Sequence, residues 1–259
     1  VKVPTRALVT GASSGIGRAL SLRLAARGIE LWVAARRQAE LDTLVQEITA
    51  AGGRAHALQL DVSDASGTAA RLAALDGESG GIDLVVANAG IGGESAARDL
   101  EQTPWSEVQR LFQINLLGAV ATLQPFIAPM LSRGQGHLVG VSSIAADVPL
   151  PRGAAYGASK AGLSFWLECA DIGLRPRGVA VTRVHPGFVK TALTETNAFP
   201  MPFLMELDAA VQIIDRGIAR RARMIRFPFG TAAAAHAGQA LPRVLRDPLI
   251  RRVTRSSAP

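Results

Sequence analysis

Short apolar runs alternate along this chain with longer segments of helical periodicity, and that alternation leaves little choice of fold. Runs at 7–10, 30–35, 55–60, 84–87, 137–142 and 179–185 read as strands, and 224–227 can serve as a seventh. Segments 16–27, 39–50, 65–75, 103 to about 131, 154–174 and 208–222 read as helices. In the first of these, Ile16, Leu20 and Leu24 share one face. Gly52-Gly53 closes the second, and Thr103-Pro104 opens the fourth, because proline suits a first helical position. A repeating strand–helix–strand order gives parallel strands with helices on both faces. Right-handed crossovers then wind the sheet in both directions from its middle.

The expected fold class is therefore α/β, with a single Rossmann-type doubly wound parallel sheet flanked by helices on both faces. One domain is expected over residues 1–259, since no internal boundary or low-complexity linker is visible. With 48% hydrophobic and 19% charged residues, the chain lacks the composition of a disordered protein. The single cysteine, Cys169, excludes an intramolecular disulfide and with it a disulfide-stapled secreted domain. It falls on the apolar side of its helix, where inert packing is expected. No signal peptide is visible at the start, and no run of about 18 uncharged apolar residues is evident, so a cytoplasmic protein without a transmembrane helix is expected.

The net charge of +7 is unevenly placed. Residues 215–259 hold ten arginines against Asp215 and Asp247, so the rest of the chain is nearly neutral. Such a tail can stay solvated or rest on an anionic membrane surface. No aromatic-interleaved basic patch supports a nucleic-acid reading, so no nucleic-acid binding is expected.

The first strand runs into Thr10-Gly11-Ala12-Ser13-Ser14-Gly15-Ile16-Gly17. Glycines between a strand and a helix let the backbone approach a pyrophosphate, and the helix offers free N–H groups and its positive dipole end. Gly11, Ser13, Ser14, Gly15, Ile16 and Gly17 are the candidates for that cradle. The second strand ends Ala34-Ala35-Arg36-Arg37. A carboxylate at this place holds a ribose 2′-hydroxyl, whereas a guanidinium can pair with a 2′-phosphate. Arg36 and Arg37 therefore point to NADP(H), with Glu40 the nearby acid that opposes the assignment.

With these features in place, the chain resembles the classical short-chain dehydrogenases/reductases (SDR family) over about residues 5–195. The glycine segment looks like the family's first motif, and Asp61-Val62 matches the family's adenine contact after the third strand. Asn88-Ala89-Gly90 resembles its motif after the fourth strand. Asn115, Ser143, Tyr156 and Lys160 match its catalytic tetrad, and Pro186-Gly187 followed by Thr191 resembles its nicotinamide-side motif. The resemblance implies hydride transfer between NADP(H) and a carbonyl or secondary alcohol. It also implies contact of Thr191 and the Val189 backbone with the nicotinamide carboxamide. A homodimer or homotetramer built on two long central helices is implied as well.

The residues themselves support that chemistry. Tyr156 and Lys160 stand four apart on a helix and share a face. An ammonium beside a phenol favours the phenolate and should draw the tyrosine below its ordinary pKa of about 10. Tyr156 can then exchange a proton with the substrate oxygen, while Ser143 hydrogen-bonds the same oxygen. The resemblance gives Lys160 the cofactor ribose as well, and gives Asn115 a water leading to Lys160. Ser142 is a neighbour that could be mistaken for Ser143. Asn88 either fixes the central strand or lies along the cofactor, and His185 is expected to be buried and satisfied rather than catalytic. The histidines and the cysteine show no metal-ligand spacing, so no metal is expected.

Residues 192–207 form a candidate substrate loop rich in Phe, Met, Leu and Pro, suited to an apolar substrate or to packing on a neighbouring subunit. Residues 228–259 depart from the family as a basic C-terminal extension. They leave peripheral membrane contact as a further reading, although prolines within 241–253 argue against one long amphipathic helix. The rival reading of the whole chain is an NADP(H)-binding sensor without turnover.

Overall fold

The computed structural model describes residues 3–92, 99–195, 201, 203–228, 230, 242, 244–248 and 250. Seven parallel strands form one sheet: β1 Arg6–Thr10, β2 Glu30–Ala35, β3 Ala55–Gln59, β4 Leu84–Ala87, β5 Gly136–Val141, β6 Val179–Pro186 and β7 Met224–Phe227. Their spatial order is β3-β2-β1-β4-β5-β6-β7. Val9 pairs with Val33 on one side and Val86 on the other, so the winding reverses between β1 and β4. The carboxyl ends of those two strands open the crevice where ligands bind in such sheets.

The covering helices are α1 Gly15–Ala26, α2 Gln38–Ala50, α3 Ala65–Glu78, α4 Trp105–Ser132, α5 Ala154–Leu174 and α6 Leu207–Ala219. Neighbouring residues of one strand feed opposite layers, because side chains alternate along it. Val9 joins Leu20, Leu24, Leu41 and Ile214 on one face, whereas Leu8 joins Leu72, Leu123, Phe126 and Leu163 on the other. The central strands β4 and β5 are buried at every position, as expected for strands covered on both sides. Edge strand β3 leaves His56, Ala57 and Gln59 exposed.

Four expectations need correction. First, α6 ends at Ala219 rather than at 222, because Arg221 takes φ 50° and turns the chain into β7. Second, α4 is not one regular helix. It passes through a π segment at Gln113–Gly118 and a tighter turn at Gln124–Phe126 around Pro125. Third, α4 is by length and composition apolar enough to cross a membrane, which the absence of an uninterrupted apolar run did not foretell. Half of its apolar window is nevertheless buried, with Ile114, Leu123, Phe126 and Met130 packed against the sheet. Fourth, Cys169 is exposed. The buried face of α5 runs through Lys160, Leu163, Leu167, Asp171 and Leu174, and position 169 falls off it.

The candidate substrate loop begins with a short helical turn, Ala192–Glu195. Its ends are pinned together where Val189 bridges Met205, with Lys190 N donating to Met205 O at 2.9 Å and Met205 N to Phe188 O at 3.0 Å. Phe199, Pro200 and Pro202 of that loop lie outside the described residues, as does most of the extension 228–259, including Leu241 and Val253.

Candidate active site

At the switch point, β1 ends in Thr10 and the chain turns through Gly11 at φ 68°. A Cβ on Gly11 would lie 2.8 Å from Ala89 Cα, and one on Gly17 would lie 2.4 Å from Gly11 O. Only glycine fits at either place. Gly15 takes φ 53° and opens α1, with Ser14 as its extended N-cap. No acidic residue occupies the first turn of α1, so its N–H groups and dipole face the crevice uncompensated. Ile16 packs partly onto the core. These residues form a concave, glycine-lined anion cradle that fits a pyrophosphate.

Asn88 staples β4 to this loop. Its Nδ2 donates to Thr10 O at 3.0 Å and to Gly11 O at 3.3 Å, while Ala89 N donates to Thr10 Oγ1 at 3.3 Å. Just past the end of β2, Arg36 and Arg37 are exposed. Arg37 donates to Ser13 Oγ at 3.0 Å and pairs with Glu40 at 3.1 Å. Glu40 thus engages Arg37 and leaves the Arg36 guanidinium outside that pair. Burial pushes the Asp61 carboxyl up, but hydrogen bonds from Ser63 and the Arg36 charge outweigh it and hold it below the usual range. Val62 lies under α4, where a Cβ on Gly118 would come within 2.5 Å of Val62 O.

The π segment carries Asn115, which is fully buried. Its Oδ1 accepts from Ile91 N at 2.9 Å, and its Nδ2 donates to Ile91 O at 3.1 Å and to Ser159 Oγ at 3.3 Å. Sequence periodicity gave no sign of the π turn. The helical glycine at Gly118 is the one available signal, since such glycines mark close backbone approach.

Tyr156 and Lys160 occupy the first turns of α5, behind the left-handed N-cap Gly153. Lys160 is 5% exposed, and its Nζ donates to Val141 O at 3.0 Å. Burial lowers its pKa to about 8. Tyr156 keeps partial access to solvent. Burial raises its phenol above 10, and a hydrogen bond with Ser143 pulls the other way. The expectation that Lys160 draws Tyr156 downward is therefore corrected: desolvation dominates for both groups, and the favourable partner of the phenol is Ser143. Ser143 Oγ also accepts from Ala145 N at 3.1 Å, capping the turn that follows. Ser142 points elsewhere and donates to Lys160 O at 2.9 Å.

Past β6, which ends at Pro186, Gly187 N donates to Phe227 O at 2.7 Å. Thr191 stands over the phosphate loop, with its side chain 3.3 Å from where a Cβ on Gly15 would sit. Thr194, which sequence reasoning missed, holds this corner: its Oγ1 donates to Val189 O at 2.7 Å and accepts from Thr191 N at 3.0 Å. His185 is buried and bonded at both ring nitrogens. Among the described residues, no group of three or more His, Cys, Asp or Glu could hold a metal ion.

A glycine cradle at the switch point, with a Ser-Tyr-Lys cluster at the same sheet edge, defines the class: a Rossmann-type nucleotide-binding oxidoreductase. The chain belongs to the short chain dehydrogenase family, whose sequence profile matches residues 5–199. It is 48% identical over 247 residues to an uncharacterized oxidoreductase of Myxococcus xanthus, covering 95% of this chain and 96% of that one. A short-chain dehydrogenase from Sphingobium yanoikuyae in complex with NADPH superposes with TM-score 0.80 at 26% identity, covering 98% of both chains. The bulky-bulky ketone specific alcohol dehydrogenase from Comamonas testosteroni superposes with TM-score 0.78 at 25% identity, over 100% of this chain and 98% of that one.

Proposed function

We propose that the protein interconverts a carbonyl and a secondary alcohol using NADP(H). The observation that carries this reading is the placing of Tyr156 one helical turn from buried Lys160, whose Nζ is held at Val141 O at the end of β5, the strand that leads into Ser143. Bound NADPH would supply the hydride. Tyr156 donates the proton to the substrate oxygen, and Ser143 hydrogen-bonds that oxygen as negative charge develops on it. Lys160, held by Val141 O, would hold the cofactor ribose, and Asn115 fixes the segment at Ile91 alongside. Gly11, Gly15 and Gly17 give the pyrophosphate its backbone seat, with Ser13 and Ser14 at its rim. Asp61 and Val62 would flank the adenine, while Ala89 and Gly90 would line the floor. Pro186, Gly187, Val189 and Thr191 would hold the nicotinamide side of the cofactor.

The Arg36 guanidinium, with no acid taking its place at the end of β2, supports NADP(H) over NAD(H). Exposed Phe203 and Leu204 at the substrate loop support an apolar substrate, in keeping with the ketone named for the Comamonas enzyme. Exposed Trp105 and Leu117 on α4 and Phe165 and Ile172 on α5 support a homodimer or homotetramer through these helices. A cytoplasmic site of action goes with this reading, with the lone thiol of Cys169 kept reduced.

The test is calorimetric titration with NADPH and NADH, followed by a carbonyl panel with wild-type protein and Tyr156→Phe. Tight NADPH binding with Tyr156-dependent turnover supports the reading. Binding without turnover of any carbonyl would favour the sensor instead.

A further inference from the structure

Behind the Ser143–Tyr156 pair lies a chain of buried polar groups that the proposed chemistry does not use. His185 sits on β6 one residue before Pro186 and is 1% exposed. Its Nδ1 stands 3.0 Å from Asp147 Oδ2. Asp147 lies four residues beyond Ser143 and also pairs with Arg226 Nε at 3.0 Å. Arg226 is the register partner of His185 on β7, so both present to the same face of the sheet. On the other side, His185 Nε2 stands 3.0 Å from Ser164 Oγ, one turn past Lys160 on α5. Ser164 Oγ lies 2.7 Å from Ser142 Oγ and 2.9 Å from Lys160 O, and Ser142 closes the ring by donating to Lys160 O at 2.9 Å.

One imidazole therefore ties together the walls of the site: the loop that carries Ser143, the helix that carries Tyr156 and Lys160, and the strand that feeds Pro186-Gly187. An ionised carboxylate only accepts hydrogen bonds, so Nδ1 carries the proton toward Asp147. Burial pushes the Asp147 carboxyl up, but the His185 hydrogen bond and charge, together with Arg226, outweigh it and keep it ionised to lower pH than usual. Buried ion pairs add little net stability compared with apolar packing, but they fix geometry where partners must meet in one arrangement. Side chains that lock a reacting group through a further layer of hydrogen bonds act in the same way.

We propose that His185 is a positioning residue that holds the turn running from Ser143 to Asp147 in place through Asp147 and holds the Lys160 turn through Ser164. The proposal rests on the reading of Tyr156 as proton donor. If the Asp147 tether is cut, the Ser143 loop relaxes. The hydrogen bond that draws the Tyr156 phenol down then weakens, the phenol ionises at higher pH, and the proton transfer slows while substrate binding holds.

Tyr156 is the only tyrosine in the chain, so ultraviolet difference titration of phenolate reports it alone. The experiment compares wild type with His185→Ala, His185→Asn and His185→Gln. The Asn amide stands where Nδ1 does and keeps a donor to Asp147, whereas Gln reaches toward Ser164 and gives up that donor. In Ala and Gln, the Tyr156 midpoint should rise, and kcat should fall roughly tenfold or more with KM and NADPH affinity held. Asn should retain the wild-type midpoint and most of kcat. A wild-type midpoint in both Ala and Gln overturns the proposal, and so does an Asn variant as impaired as Ala. If Ala does not fold, the Asn–Gln contrast decides. If wild-type protein turns over no carbonyl, the reductase reading fails, and the midpoints alone decide whether the tether exists.

Discussion

A Cβ placed on Gly90 would lie 3.1 Å from Lys160 Nζ and equally far from Asn115 Oδ1. The segment that leaves β4 therefore passes close over the two buried polar groups. Neither neighbour can easily give way, since Lys160 is held by Val141 O and Asn115 by both backbone groups of Ile91. Gly90→Ala should reduce kcat at least tenfold with a stability loss of about 1–2 kcal/mol, because overpacking a fixed site forces its neighbours off their positions. Chemical denaturation and steady-state kinetics check both numbers. Gly173→Ala on α5 meets nothing within 4 Å and should instead stabilise the protein by up to about 1 kcal/mol.

Tyr156→Phe removes the hydroxyl and leaves the ring. Loss of a positioned general acid costs about 10²–10⁴-fold in rate, so kcat should fall within that range while NADPH affinity stays near wild type. Stopped-flow turnover and calorimetry separate the two. Substantial turnover in Tyr156→Phe would move the proton donor to another group.

Arg36→Ala should weaken NADPH binding without changing NADH binding. A charge-assisted pair is worth roughly 1.5–3 kcal/mol, which corresponds to a ten- to hundredfold rise in the NADPH Kd. Arg37→Ala should cost less, since Arg37 already engages Glu40 and Ser13. Equal loss for both cofactors would remove Arg36 from the 2′-phosphate.

Lys160 makes stability depend on pH. Its pKa falls from 10.5 to about 8 on burial, so between these values the unfolded chain binds more protons than the folded one. Folded stability should therefore rise as pH increases through that window. The desolvation penalty is fully present below about 8 and would be lost by 10.5, a span of roughly 3 kcal/mol. Urea unfolding from pH 8 to 10 should show this slope in wild type and a flatter one in Lys160→Met. The range stops at pH 10 because the raised Tyr156 phenol acts in the opposite sense above it: the unfolded chain loses that proton first.

The strands and helices were legible because burial on two faces writes itself into the sequence. β2, β4, β7 and α5 have the ends that periodicity assigns. The glycines at 11 and 17 were legible too, since only a residue without Cβ fits where β1, α1 and β4 converge. The π turn at Asn115 was not, because helical periodicity does not distinguish a π turn from a regular one, and Gly118, packed on Val62 O, meets a neighbour from across the fold. Nor was the exposure of Cys169, which follows from the face that α5 turns to the sheet.

The sequence by itself determined the doubly wound sheet and the glycines that close the β1–α1 turn, because these depend on local periodicity and on side-chain size, while Ser143, Tyr156 and Lys160 were singled out by resemblance to a family. Tertiary structure alone decided that Ser142 turns to the Lys160 carbonyl, and that burial rather than the Lys160 charge dominates the Tyr156 phenol. It also joined His185, Asp147, Ser164 and Arg226 into one network. Hydrogen bonds and desolvation depend on distances between residues far apart in the chain, and those distances exist only once the sheet has closed over its helices.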